Sequence, residues 1–343
     1  MRNLLNYYRT WEGTLHLVLS IALFGLFALA EPALTPHGVA GAMIVNAANL
    51  SEIFKNLRAT FNKAFEAAES QWSMTAMRVP SSARQNDYSW LSRFPKMRRW
   101  IGEKAAKALE AFSYTIVNED WEATVEVDRN DIADDNLGIY GPMAQDAGFS
   151  AKQLPDEIVT ELKDNAFSQV CYDGQYFYDT DHPVADGTVS NKGTNALDNS
   201  TLTAAQNSYG AARQAIMSMT DDEGRPLGLV PDTLEVPPQL EATGRMLVEN
   251  EKLGDDTPNP YRGTAKLVVN PRLSSGTAWF LHVTTRPIKP FILQERQAPV
   301  FVEQTDQNND DVFNRRLFKF GAEARMAGGY ALWQMSYGSD GTT

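Results

Sequence analysis

Apolar residues recur along this chain with two different periods, and the alternation of the two predicts a mixed α+β chain. Over 49–70, Leu50, Ile53, Phe54, Leu57, Phe61 and Phe65 fall three or four residues apart with polar residues between them. That spacing puts them on one stripe of a helix, a face that packs into a core or onto a second subunit. Asn49 followed by Glu52 has the shape of a capping box, with Asn in place of Ser or Thr. The second helical stretch carries Leu154, Ile158, Val159, Leu162 and Ala166, with Asp156 and Glu157 ahead of Lys163, the order that suits the helix dipole. Upstream, 140–150 adds a turn or two. Pro155 removes a backbone donor, so the helix is expected to bend or break there.

Period two appears elsewhere. Trp121, Ala123, Val125 and Val127 share one face of a strand and Glu122, Thr124, Glu126 and Asp128 the other. With 112–117 this reads as a hairpin turning through Asn118, Glu119 and Asp120. The stretch 77–101 has no clean period and reads as loops around short strands. Beyond the second helix, 171–199 is loop-like and 202–219 helical. Leu234 to Val236 is a short strand, and Pro237-Pro238 opens a helix to Asn250. Strands are expected at 266–270, 278–284, 291–294, 300–303, 317–320 and 330–337, with an acidic turn at 304–311. Gly328-Gly329 lacks the Lys-Ser/Thr of a phosphate loop and is read as a bulge or a close backbone contact.

Composition narrows the function. The 343 residues are 43% hydrophobic and 22% charged, ordinary globular material with a net charge of −12. An acidic chain is a poor general nucleic-acid binder. The single cysteine, Cys171, excludes an intrachain disulfide, and four scattered histidines give no zinc spacing. Residues 15–30 are nearly unbroken apolar sequence behind Arg2 and Arg9. By composition this is a signal peptide or a short membrane anchor; the competing expectation is that translation starts at Met43, leaving 1–42 outside the natural protein.

Two places could carry recognition or chemistry. Arg93, Lys96, Arg98, Arg99, Lys104 and Lys107 oppose a single acid, Glu103, with Trp90, Phe94 and Trp100 among or beside them. The run reads as an intersubunit contact, a solvated charged stretch or a phosphate patch with stacking rings. Acidic partners for the first reading are available at Asp131, Asp134, Asp135, Asp221, Asp222, Glu223, Asp255 and Asp256. Cys171, Asp173, Asp179, Asp181 and His182 contain a thiol, a base and three carboxylates, but neither a calcium-loop spacing nor a nucleophile motif, so turn chemistry is the expected role. No catalytic, cofactor or metal residue is assigned.

The pieces DNLGIYGPM, LPDEIVTELKDNAF and CYDGQYFYDTDHP resemble the major head subunit of Mu-like phages and prophages. YSWLSRFPKMRRWIG before them, and KPFILQERQAPVFV and ARMAGGYALWQMSYG after them, extend the resemblance in the same order over 43–338. The resemblance implies the Hong-Kong-97-type capsid fold, with 43–134 as N-terminal arm and extended loop, 135–170 and 264–343 as a peripheral domain carrying a long spine helix, and 171–263 as an axial domain. It implies no enzyme and no cofactor. The partners it implies are further copies in pentamers and hexamers, with scaffold, portal and decoration proteins. The shell would enclose double-stranded DNA without reading its sequence, be assembled in the host cytoplasm and end in the virion, with no membrane. An encapsulin-like compartment, or an exported binding protein or hydrolase, are the alternatives.

Overall fold

One long helix joins two sheets. A computed structural model describes residues 47–92, 114–134, 137–184, 187–221 and 224–343. In chain order the elements are helix α1 (Ala47–Ala67), strands β1 (Ala76–Pro80), β2 (Gln85–Asp87), β3 (Thr115–Val117) and β4 (Glu119–Asp128), and helices α2 (Arg129–Ala133) and α3 (Tyr140–Asn165). Short strands β5 (His182–Val184), β6 (Gly187–Val189) and β7 (Lys192–Gly193) follow. Helix α4 (Leu202–Ala205), a π turn (Gln206–Gly210) and helix α5 (Ala211–Met217) make up the rod expected over 202–219. The remainder is β8 (Thr233–Val236), α6 (Glu241–Val248), β9 (Lys266–Val269), β10 (Trp279–His282), β11 (Phe291–Gln304), α7 (Asp310–Arg315), β12 (Leu317–Tyr330) and β13 (Ser336–Ser339). Among the described residues no helix is long and apolar enough to cross a membrane.

The four-stranded sheet has the order β1-β11-β12-β4, and α1 and α3 lie against it. The apolar stripe of α1 is what docks it. Phe54 meets Phe318 and Phe320 edge-on, and Phe61 packs on Phe301, whose ring stacks on Phe320. The core-facing reading of that stripe therefore holds within the subunit. Gly148 of α3 brings the two helices together: a Cβ there would sit 2.4 Å from the Phe61 carbonyl oxygen. The second sheet, β7-β13-β10-β8-β9, carries fully buried Trp279, Phe280, Leu281, Leu234 and Val236 in the largest core.

Several expectations are corrected. Helix α3 runs unbroken through Pro155 for 26 residues. An interior proline costs about 3 kcal/mol, and burial of Pro155, Ile158 and Val159 on the sheet side offsets it. The 112–128 hairpin does not form. β3 pairs with β2, whereas β4 pairs with β12 through a ten-residue antiparallel register. The strands expected at 291–294 and 300–303 are one strand, irregular between Glu295 and Val300, where Pro299 has no N–H to give. The strand expected at 317–320 runs on through Gly328 and Gly329 to Tyr330. The one expected at 330–337 is instead a 3-10 turn, Trp333–Met335, followed by β13. The two glycines are the close contacts anticipated: a Cβ on Gly328 would lie 2.8 Å from Ile158 and Leu162, and one on Gly329 would lie 2.1 Å from Ile116. The boundary at 263/264 also cuts a sheet, since β7 and β8 precede it and β9, β10 and β13 follow it.

Gly148→Ala is expected to force α1 away from α3 and lower stability by about 1–3 kcal/mol, the usual cost of overpacking. A denaturant titration of the subunit checks this; an unchanged midpoint would mean that the helices do not approach so closely.

Candidate functional site

Of the expected intersubunit residues, Arg93, Lys96, Arg98, Arg99, Trp100, Lys104 and Lys107 lie outside the described residues. Trp90 is described: it sits in a 3-10 turn (Ser89–Ser92), 39% exposed, its ring 6.3 Å from that of buried Tyr88. The structure shows how the run is bracketed. β2 and β3 pair antiparallel, Asp87 opposite Thr115, so the described residues on either side of the run meet at one point. The stem is held from inside, where Tyr88 Oη donates to Gln294 Oε1 at 2.8 Å and Gln294 Nε2 donates to the Ile116 carbonyl at 3.1 Å and to Asn118 Oδ1 at 2.8 Å.

The acidic partners proposed for that run divide. Asp221 is buried and bonded to Arg225 at 2.8 Å, so it is not a surface charge. Asp131 accepts from Tyr140 Oη at 2.6 Å, and exposed Asp256 pairs with Lys252 at 3.2 Å. Asp135, Asp222 and Glu223 lie outside the described residues. A stronger acidic surface is β4, an edge strand with Glu119, Asp120, Glu122 and Glu126 exposed. Alternation in the sequence places Glu122 and Glu126 on the wet face; that β4 ends its sheet is a tertiary fact.

The second feature was not anticipated. At the far end of α3, Lys163 Nζ lies 2.8 Å from both carboxylate oxygens of Glu235 on β8, and both side chains are buried. Asn270 Nδ2 donates to Glu235 Oε1 at 2.8 Å and to Thr160 Oγ1 at 3.1 Å. His282 Nε2 faces Glu235 Oε2 at 3.3 Å, too poorly aligned for a full hydrogen bond, so that contact is mainly electrostatic. Its Nδ1 is 2.8 Å from Ser336 Oγ, which is 2.7 Å from Tyr178 Oη. The result is a polar chain from α3 across β8 and β10 to β13. Burial resists ionisation of Glu235, yet the Lys163 charge beside it outweighs that and holds the carboxyl well below its ordinary range. Burial pushes His282 below its ordinary value, so it is neutral there. The signal for this site was a single acid inside an apolar strand, Leu234-Glu235-Val236.

The 171–183 loop brings together three of its five candidates. Asp173 Oδ2 lies 2.7 Å from His182 Nδ1, and Cys171 Sγ donates to Asp173 Oδ1 at 3.1 Å. Asn191 donates its amide hydrogens to the carbonyls of Phe177, Trp333 and Ser336, which turns its oxygen to His182 Nε2 at 3.1 Å. Trp333 stacks on the imidazole with centroids 4.0 Å apart. Asp179 instead caps the Tyr176 and Thr180 N–H groups, and Asp181 is exposed outside the cluster. Thiol, carboxylate and imidazole within 4.8 Å of one another would suit a borderline metal, one ligand short of a closed tetrahedron. The three already satisfy one another by hydrogen bonds. Burial, then the Asp173 charge, pushes the Cys171 thiol far up from its ordinary value, the reverse of an activated nucleophile. The arrangement is that of a cross-braced turn.

Comparison with known proteins gives one consistent answer. The profile of the family described as Mu-like prophage major head subunit gpT matches residues 50–206, 196–273 and 270–343. The major capsid protein of Escherichia phage Mu is 32% identical over 86% of this chain and 74% of its own length. The Mu-like prophage FluMu major head subunit of Haemophilus influenzae is 29% identical over 84% of this chain and 72% of its own. Among solved structures, the bacteriophage JBD30 procapsid chain aligns with a TM-score of 0.54 at 29% identity, covering 86% of this chain and 76% of that one. The JBD30 capsid chain aligns at 0.54 and 26%, covering 67% and 100%.

Lys163→Ala is expected to cost about 3–5 kcal/mol, because it strands a buried carboxylate; Lys163→Met with Glu235→Leu should recover most of that. Thermal unfolding of the single and double variants checks both numbers. Stability should also fall with pH in two stages. His282 takes up a proton more readily in the unfolded chain, so its contribution is full above its ordinary 6.5 and is lost below it. Glu235 and Asp173 are held below their ordinary 4.5 and 3.8, so theirs is lost as pH falls through and below those values. A melting temperature that stays flat from pH 7 to 4 would contradict the assignment. Cys171→Ser should leave folding and assembly unchanged; loss of particles from a folded subunit would show that the thiol has a role.

Proposed function

The chain belongs to the Mu-like prophage major head subunit family, and from that premise we propose that it assembles, many copies strong, into an icosahedral head around double-stranded DNA. It is a major capsid protein with the Hong-Kong-97-type fold, a structural component of the virion shell and not an enzyme. The observation that carries the reading is the family match, which runs across both sheets and the helix between them. Assembly would take place in the host cytoplasm with scaffold, portal and decoration proteins, and the enclosed DNA would be held without sequence reading.

The domain roles follow the sheets more closely than the sequence boundaries. We assign α3 and the four-stranded sheet to the peripheral domain. The five-stranded sheet, including β9, β10 and β13 from beyond residue 264, goes to the axial domain at the centres of the rings. Residues 88–114, closed at their base by β2 and β3, are the extended loop.

That loop carries the basic run from Arg93 to Lys107, and its partner is the acidic edge of β4 on the neighbouring subunit. Each exposed charge pair contributes only about 0.2–1 kcal/mol, but a shell repeats the contact in every copy. Electron microscopy of the concentrated full chain tests the shell itself: particles are expected, and a chain that stays monomeric would oppose the reading. Arg98→Glu with Arg99→Glu should impair assembly while circular dichroism stays unchanged, and raised salt should weaken the wild-type association through screening. Normal empty shells that fail only in packaging would instead assign the run to DNA.

A further inference from the structure

Thr75 closes the 3-10 turn (Trp72–Met74) between α1 and β1. It is 1% exposed, and its hydroxyl has no hydrogen-bond partner among the described residues. A buried hydroxyl left so bears the whole cost of losing its hydration, which is why such groups are rare in folded proteins. The backbone of the same turn is well held: Asp156 Oδ1 on α3 accepts from the Gln71 and Trp72 N–H groups at 2.7 and 2.6 Å. The orphan is therefore not a sign of a loose segment.

Thr75 lines a cavity of about 20 Å³ together with Asp156, Thr160 and Lys163 of α3, Glu235 of β8, and Asn270 and Arg272 just beyond β9. One water needs about 10–15 Å³ on that measure, and two to four polar partners. Cavities that stay dry are apolar, whereas eight of the twelve residues lining this one are polar or charged. Thr75, Asp156, Thr160, Lys163, Glu235 and Asn270 are each more than nine-tenths buried. Charge selects the guest. The charged residues of the lining are Asp156, Glu235, Lys163 and Arg272, two of each sign, so an ion of either sign meets a pair that repels it and a neutral dipole does not. Capacity remains to bind one. Lys163 gives two of its three ammonium hydrogens to Glu235, with the centroid of the Phe291 ring 5.6 Å away, and Asp156 uses Oδ1 alone for the turn.

We propose that this cavity is a built site for one water molecule, bonded to the Thr75 hydroxyl and to at least one other of the buried polar groups that line it. A bridging water is nearly as good as a direct hydrogen bond. Here it extends the polar chain of Lys163 and Glu235 to the turn that follows α1. The end of α1, the long helix and the five-stranded sheet are then tied at one point. The inference concerns the folded subunit and does not depend on what the chain assembles into.

A density map of the full chain, at a resolution that shows ordered water, tests the site directly. A peak is expected within about 3.2 Å of Thr75 Oγ1 and of a second polar atom of the lining. A dry cavity would overturn the proposal, as would a peak at the shorter distances of a metal ion, about 2.0–2.6 Å. Thr75→Val gives a test in solution, because valine keeps the shape and drops the hydroxyl. If that hydroxyl is dry, the change removes a buried orphan and raises the melting temperature. If it holds a water, the change takes away one of the water's partners and should lower the melting temperature by about 2 °C. A raised or unchanged value for Thr75→Val would overturn the proposal. Thr75→Ser should keep the density peak and Thr75→Val should lose it; a peak that persists in the valine variant would remove Thr75 from the site and overturn the assignment.

Discussion

Lys163 and Glu235 meet, both buried, where the long helix reaches the five-stranded sheet, and the relation between the two halves of the subunit depends on that pair. Burying two charges costs several kcal/mol each before any attraction is counted. Here the carboxylate is met by an ammonium on both oxygens and by the Asn270 amide on one, with neutral His282 alongside. An apolar joint of the same volume could be as stable. It would also tolerate the helix rotated or slid by a fraction of a turn, because grease has no direction. A bidentate charge pair with a fixed amide beside it has one good register. In a shell, each subunit must present its interfaces at the same angle, and an error at this joint would be repeated in every copy.

Local pattern was legible in the sequence and long-range pairing was not. The stripe of α1, the rod over 202–219, the β4 alternation and the strand at Leu234 to Val236 all follow from periodicity, and all are present. The 112–128 hairpin failed because adjacency in sequence was taken for adjacency in the sheet. β4 finds β12, two hundred residues later, and β3 finds β2 across the whole loop. Of the bend or break expected at Pro155, the break does not occur, because a local cost was not weighed against burial on the sheet. Gly328 and Gly329 were read correctly as close contacts but placed before a strand, although small residues are what allow β12 to pass beneath α3 there.

The candidate sites divide the same way. Cys171, Asp173 and His182 are close in sequence, and the turn they brace was expected from its Asp and Gly. Glu235 was visible only as an acid out of place, since its partners Lys163, Asn270 and His282 come from three separate elements. Asp221 shows the opposite error. A cluster of acids in sequence looked like surface, yet its first member is buried against Arg225.

The edge of β4 ties these observations to assembly. A ten-residue strand that ends its sheet among the described residues is a hazard in a protein made to reach high local concentration, because identical edges pair with each other. Glu119, Asp120, Glu122 and Glu126 are exposed along this one, with Asp120 paired to Arg325 at 3.1 Å and Glu126 3.9 Å from Lys319. Two such edges repel, and so do two basic loops. A basic loop against an acidic edge is attracted, and the attraction fades with salt while the repulsion of like for like fades with it. One row of carboxylates thus does two jobs in the proposed shell: it keeps subunits from aggregating edge to edge, and it leaves the neighbour's basic segment as the favoured occupant. The net charge of −12 belongs to the same logic. A general excess of acid keeps free copies apart, and the proposed contact sets against it one place where positive charge is concentrated.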